Sequence, residues 1–153
     1  MTMTDNQRFM RMAIAKAEEA DQPFGALIVK TGKVIAAVGN TVKSERDPLA
    51  HAEMNVIRMA LRELGTAKLE SCAIYTTVEP CPMCAGAIIW SGIDKLVYGA
   101  SIGEVEEYAP QIKLGAREIA SYAPQKIEVI GGILSELCIA VFAERRRLRE
   151  VGR

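Results

Sequence analysis

The tightest constraint on how this chain can fold comes from two short stretches, His51-Ala52-Glu53 and Pro80-Cys81-Pro82-Met83-Cys84, whose side chains must meet for their chemistry to work. Together they offer one imidazole, two thiolates and a carboxylate. One nitrogen and two sulfurs form a three-donor zinc set, and a tetrahedral zinc with three protein ligands keeps a fourth position open for water. Zinc lowers the pKa of such water to roughly 7, so hydroxide is available near neutrality. A carboxylate beside it can take that proton and hand it to a leaving group, which gives Glu53 general acid-base work. His51, Cys81 and Cys84 are the expected ligands.

The spacing agrees. Cys81 and Cys84 stand three apart, so on a helix both sulfurs share a face, and Pro82 suits a first turn, where its missing N–H is not needed. A positive helix end favours the thiolate, the form that binds metal. Asp47-Pro48 is a turn signal and 52–64 reads helical, which puts His51 at a second helix start. His51 and Glu53 diverge by roughly 200° around an ideal helix, so they converge only on something lying over its end. A lone Cys-x-x-Cys also suits a redox pair or half of a structural zinc knuckle. Here His51 is the only histidine, and no second cysteine pair or histidine pair is present to close a four-ligand structural site.

The 153 residues are 50% hydrophobic and 25% charged, an ordinary globular balance that suggests one domain over 1–153. No apolar run approaches the roughly 18 residues of a membrane span, and no leader precedes the first helix, so no membrane partner is expected and a cytoplasmic location follows. Cys72 and Cys138 lie in apolar segments and read as buried free thiols, which suits a reducing compartment. Lysine plus arginine and aspartate plus glutamate both number 19. A protein that holds a nucleic acid usually carries a basic surplus, because neutralising phosphates supplies most of the affinity, so a nucleic-acid partner is not expected.

Periodicity predicts a first helix over 5–20, apolar at Phe9, Met12, Ala13, Ala17 and Ala20. Strands over 24–30 and 33–38 form a hairpin at Thr31-Gly32, and a polar loop spans 41–48. The first metal helix turns Val56, Met59, Ala60 and Leu64 inward and ends at Gly65. A third strand covers 72–77, and the second metal helix runs to Trp90. Strands over 95–99 and 126–130 flank a helix over 111–121, and a crossover of that length makes these last two strands parallel. The final helix, 134–150, is apolar at Leu134, Leu137, Cys138, Val141 and Phe142. Its closing arginines complement the dipole of the helix end, with an RNA-binding tail as the sharper alternative.

His-x-Glu followed by Pro-Cys-x-x-Cys resembles the signature of the zinc-dependent nucleobase and nucleoside deaminases, the cytidine/deoxycytidylate-deaminase-like superfamily. The resemblance is strongest from Pro23 to Tyr98 and leans toward the guanine deaminase and nucleobase deaminase branch. The tRNA adenosine deaminases are also similar, in Cys81-Pro82-Met83-Cys84-Ala85-Gly86-Ala87. It implies an α/β, three-layer α/β/α cytidine-deaminase-like fold around a five-stranded mixed sheet, and one zinc per chain held by His51, Cys81 and Cys84. Glu53 becomes the proton shuttle of a hydrolytic deamination that releases ammonia. Substrate contacts are implied at Asn40, in Gly39-Asn40-Thr41; at Phe24, in Pro23-Phe24-Gly25-Ala26; at Ala52; and at Trp90, which closes Gly86-Ala87-Ile88-Ile89-Trp90. One or two of Glu104, Glu106 and Glu107, after the fourth strand, are implied to reach a base; on composition alone they are a solvated face. Guanine is the leading substrate. Cytosine, isocytosine, creatinine and aminotriazines are alternatives, tRNA adenosine is a rival, and a binding module without chemistry is the non-enzymatic reading. Family members are commonly homodimers, and Ile88, Ile89 and Trp90 offer an apolar contact.

Overall fold

The computed structural model describes residues 2–153. Thr4 opens the first helix, α1 (Asp5–Glu19), with a reciprocal cap. Its hydroxyl accepts the Gln7 N–H at 3.2 Å, and the Gln7 side chain accepts the Thr4 N–H at 3.0 Å. The hairpin strands β1 (Gly25–Lys30) and β2 (Lys33–Gly39) turn at Thr31 and Gly32, whose φ values of 51° and 73° are the left-handed pair that a two-residue type I′ turn needs. A short helix, α2 (Val42–Glu45), leads into α3 (Ala52–Leu64), which ends on Gly65 in the left-handed conformation. Then come β3 (Cys72–Val78), α4 (Pro82–Trp90) and β4 (Lys95–Ala100). The chain closes with α5 (Ile102–Val105), α6 (Ala116–Ala120), β5 (Glu128–Ile130) and α7 (Ser135–Val151).

One sheet holds the strands in the order β2-β1-β3-β4-β5. Both neighbours of β1 run antiparallel to it, while β3, β4 and β5 are mutually parallel, with Leu96 opposite both Ile74 and Val129. The expected five-stranded mixed sheet with its last two strands parallel is therefore present. Alternation along β1 feeds two cores. Leu27 and Val29 pack with Phe9, Met10 and Ala13 of α1 and with Val141 and Phe142 of α7. Ala26 and Ile28 pack with Val56 and Ala60 of α3 and with Ile88 of α4. Helices thus cover both faces, giving three layers. Gly25 lets α1 lie close, since a Cβ there would sit 2.1 Å from the Ala13 carbonyl oxygen.

Several sequence expectations are corrected. One position in each of three helices is misplaced: Met12, Met59 and Leu137 are exposed, whereas Phe9, Ala13, Ala17, Val56, Ala60, Cys138, Val141 and Phe142 are buried as expected and Met10, Ile14 and Ile57 join them. Each helix carries apolar residues at neighbouring positions, and periodicity alone cannot choose between faces one residue apart. The predicted helix over 111–121 shrinks to α6, because 111–115 is drawn out as loop. The last strand begins at Glu128 rather than Lys126. Ile88, offered as a surface contact, is 1% exposed and faces the sheet. No helix among the described residues is long and apolar enough to cross a membrane.

Candidate active site

His51 and Cys81 occupy equivalent places, each the residue that caps the start of its helix. Both have extended backbone, with φ, ψ of −66°, 154° and −65°, 168°, and neither side chain makes a capping hydrogen bond. Those side chains turn toward each other instead. Pro82 fills the first turn of α4, and Cys84 lies one turn on, fully buried. His51 Nδ1 lies 3.7 Å from Cys81 Sγ and 3.5 Å from Cys84 Sγ. A tetrahedral zinc with Zn–S near 2.3 Å and Zn–N near 2.0–2.1 Å separates nitrogen from sulfur by about 3.6 Å. The three donors therefore already stand at zinc spacing, all within 4.8 Å of one another.

The electrostatics suit a cation. The hydrogen bond from Cys84, reinforced by His51, holds the Cys81 thiol down to about 4. Sharing that bond with Cys81 pushes the Cys84 thiol up, and burial adds to it. Two adjacent buried thiolates repel, and a divalent cation between them would release the second proton. Contact with Cys81 likewise raises the His51 imidazole. Glu53, in the first turn of α3, is 6% exposed, and burial is the main reason its carboxyl is pushed above the usual range.

A cavity of about 260 Å³ opens beside His51, Glu53 and Cys81. Gln22, Phe24 and Asn40 line it from the two ends of the hairpin, and Glu79, Pro110, Gln111 and Ile112 line it from the end of β3 and the crossover beyond β4. Asn40 is held by its own side chain. Its Oδ1 accepts the Val42 N–H at 3.0 Å, and its Nδ2 donates to the side-chain Oε1 of Gln22 at 3.3 Å, which leaves one amide hydrogen uncommitted. Behind it, Asn55 Nδ2 reaches the Gly39 carbonyl at 3.2 Å and the Thr41 hydroxyl at 2.9 Å, tying α3 to the end of β2.

The structure thus brings Asn40 and Phe24 to the metal donors and leaves other sequence candidates elsewhere. The Ala52 side chain is wholly buried in the core beneath α3. Trp90 is 81% exposed and lines a separate cavity with Lys68, Glu70 and Gln125. It lies nine residues after Cys81, roughly 180° around the helix. Glu104 is spent capping α5 with Ser101, Glu106 pairs with Lys113 at 2.7 Å, and Glu107 pairs with Arg146 at 3.5 Å. None of the three lines the metal cavity. Sequence reasoning passed over Gln22, Glu79, Gln111 and Ile112. Glu79 carried one usable signal, its place between the end of a strand and the Pro-Cys motif.

A three-layer sheet with an imidazole and two thiolates at paired helix starts, and a buried glutamate beside them, defines a zinc-binding deaminase. Residues 3–100 match the family described as the cytidine and deoxycytidylate deaminase zinc-binding region, and the chain belongs to it. It is 36% identical over 159 residues to a tRNA-specific adenosine deaminase of Bacillus subtilis (strain 168), covering 99% of this chain and 97% of that protein. It is 41% identical over 108 residues to a guanine deaminase of the same organism, covering 67% and 69%. Among solved structures, a guanine deaminase from Nitrosomonas europaea superposes with a TM-score of 0.78 at 27% identity, covering 96% of this chain and 86% of that one.

Proposed function

We propose that this chain, acting as a single deaminase domain, hydrolyses the amine from a free amino-bearing nucleobase or related small heterocycle, with guanine the leading substrate. The observation that carries this is the size of the cavity. About 260 Å³ around Glu53 and the metal donors suits one ring, lined by the carboxamides of Gln22, Asn40 and Gln111 rather than by cationic side chains. Zinc held by His51, Cys81 and Cys84 would supply an activated water at neutral pH. Asn40 presents its free amide hydrogen to a ring acceptor. Glu53 takes one proton from the attacking water and passes it to the ring nitrogen, then carries the proton of the new hydroxyl to the departing amine, so that water and an aminated ring become an oxo ring and ammonia. The raised carboxyl of Glu53 suits a group that must carry a proton and then give it up. Buried free Cys72 and Cys138 fit a reducing location such as the cytoplasm.

A tRNA adenosine is the second reading. Its support is the match over 99% of the chain and a groove of about 340 Å³ lined by Arg145, Arg146 and Arg149, which adjoins the metal cavity through Gln22, Phe24 and Gln111. Much of that charge is already engaged. Arg145 bonds backbone carbonyls, and Arg146 pairs with Glu107 and stacks 4.1 Å over Tyr108. The formal net charge of +0 gives a phosphate backbone little further attraction.

Ammonia release by the zinc-loaded protein from guanine, cytosine, isocytosine, creatinine, aminotriazines and a tRNA anticodon stem-loop decides between them. Turnover of guanine is expected. Inosine in the RNA with every free ring untouched would replace this reading with the second, and metal binding with no ammonia from any substrate would leave the binding module. Glu53→Gln should keep its zinc and lose at least about 10²-fold in kcat. We also propose a homodimer through the outward face of α4.

A further inference from the structure

Glu79 stands two residues before the first cysteine ligand, yet it is not one of the clustered metal donors. One carboxylate oxygen accepts the Ile102 N–H at 3.1 Å, and the other accepts the Ala116 N–H at 2.8 Å. Its backbone N–H adds a third tie, donating to the Ala100 carbonyl at 2.8 Å. Ile102 and Ala116 open α5 and α6, so one carboxylate satisfies a first-turn donor at both ends of the segment 102–116. The middle of that segment, Pro110 to Ile112, lines the metal cavity, and so does Glu79 itself. Gly115 fits closely against the same group, since a Cβ there would lie 3.2 Å from Glu79 Oε2. On the α7 side the segment is held by buried Val105, by Tyr108 against Phe142 and by Glu107 with Arg146, and beyond Pro110 it has less. Glu106 and Lys113 pair on its exposed side, and Ile112 is 65% exposed.

We propose that Glu79 is a positioning residue for substrate: it pins both ends of the crossover strap to the loop that carries Cys81, and so sets the distance between the metal donors and the wall formed by Pro110, Gln111 and Ile112. This rests on the reading that a single ring occupies the cavity. Pro110 to Gly115 lies in no strand or helix. Its placement therefore leans on the Glu79 hydrogen bonds that hold the segment at either end, each strengthened by the charge of the acceptor. A carboxamide in place of the carboxylate can accept through only one atom, and it turns an N–H toward one of the two donors.

The test compares Glu79→Gln and Gly115→Ala with the parent, each zinc-loaded. Gly115 has an ordinary φ of −73°, so alanine there disturbs the contact from the strap side without touching Glu79. Three readouts are taken: zinc stoichiometry with the absorption spectrum of the cobalt-substituted site, amide hydrogen exchange at Ile102 and Ala116, and the kcat and KM of the ring that turns over. Expected for Glu79→Gln are unchanged metal content and spectrum, faster exchange at both amides, and KM raised about tenfold with kcat altered far less. Gly115→Ala should give the same pattern more weakly. An altered cobalt spectrum or lost metal would overturn the proposal by placing Glu79 in the metal site. Parent-like exchange at both amides would overturn it by showing that the strap does not depend on Glu79. Fast exchange with unchanged KM would overturn the link to substrate. The exchange and metal readouts need no substrate, so they stand even if the parent proves inactive on every free ring.

Discussion

At the scale of single residues, polar groups in the interior are few and each has a definite surrounding. Cys138 is 1% exposed beneath α7, and burial pushes its thiol up to about 12 from an ordinary 9.0. Between those values the folded protein keeps a proton that the unfolded chain has already lost. The unfolded state then binds fewer protons, so stability is fully present below pH 9 and falls as pH rises toward 12, by up to about 4 kcal/mol. Urea unfolding at pH 8 and pH 10.5 should show this fall, and Cys138→Ala should reduce it, leaving the share of Cys72, Cys84, Tyr75 and Tyr98, which are also raised; an equal fall in the variant would mean that Cys138 contributes nothing. The metal site was legible at this scale because histidine and cysteine have few other uses in such spacing. Gln22 and Gln111 were not, since a carboxamide in a loop looks alike whether it faces solvent or a cavity. The glutamates after β4 misled for a related reason: capping and surface pairing consume carboxylates without leaving any pattern in sequence.

At the scale of elements, the arginine-rich end of α7 serves a helix other than its own. Arg145 donates to the carbonyls of Ala20 and Asp21 at 2.9 Å each, to Glu18 at 3.1 Å and to Ala17 at 3.4 Å. These lie at the C-terminus of α1, where carbonyls lack helical partners. The expectation that the arginines complement their own helix dipole is met by Arg149, in the last turn of α7, while Arg145 serves the end of α1 instead. Arg147, two residues on, only pairs with Glu144 at 2.6 Å on an exposed surface. Arg145→Ala should therefore cost about 2 kcal/mol in urea unfolding, and Arg147→Ala far less. Equal losses would show that the carbonyl contacts contribute nothing beyond surface charge.

At the scale of the whole molecule, the hairpin and the parallel last pair of strands were readable because turn chemistry and crossover length leave few alternatives, whereas the order of strands across the sheet was not. Thr31-Gly32 forces the antiparallel pair, and the long excursion between β4 and β5 forces the parallel one. Which apolar residue of a neighbouring pair faces inward was not readable, as Met10 and Met12 show. The outward side of α4 leaves Met83, Gly86, Ala87 and Trp90 at positions that share one helix face, and a Cβ at Gly86 would meet nothing within 4 Å. An apolar face open to close approach fits a second copy. Sedimentation should then show a dimer that Trp90→Glu weakens; a monomeric parent would remove the homodimer.

The two cores also differ in when the chain can complete them. The layer that carries the metal donors draws its buried residues from Ala26 to Ala116, whereas the opposite layer joins Phe9 to Phe142. During synthesis the N-terminal part of a chain emerges first. Histidine, cysteines and the strands between them are therefore all outside the ribosome while half of the sheet still awaits its cover. The Arg145 contact with α1 waits until α7 has emerged, a clasp drawn shut from the far side of the sheet.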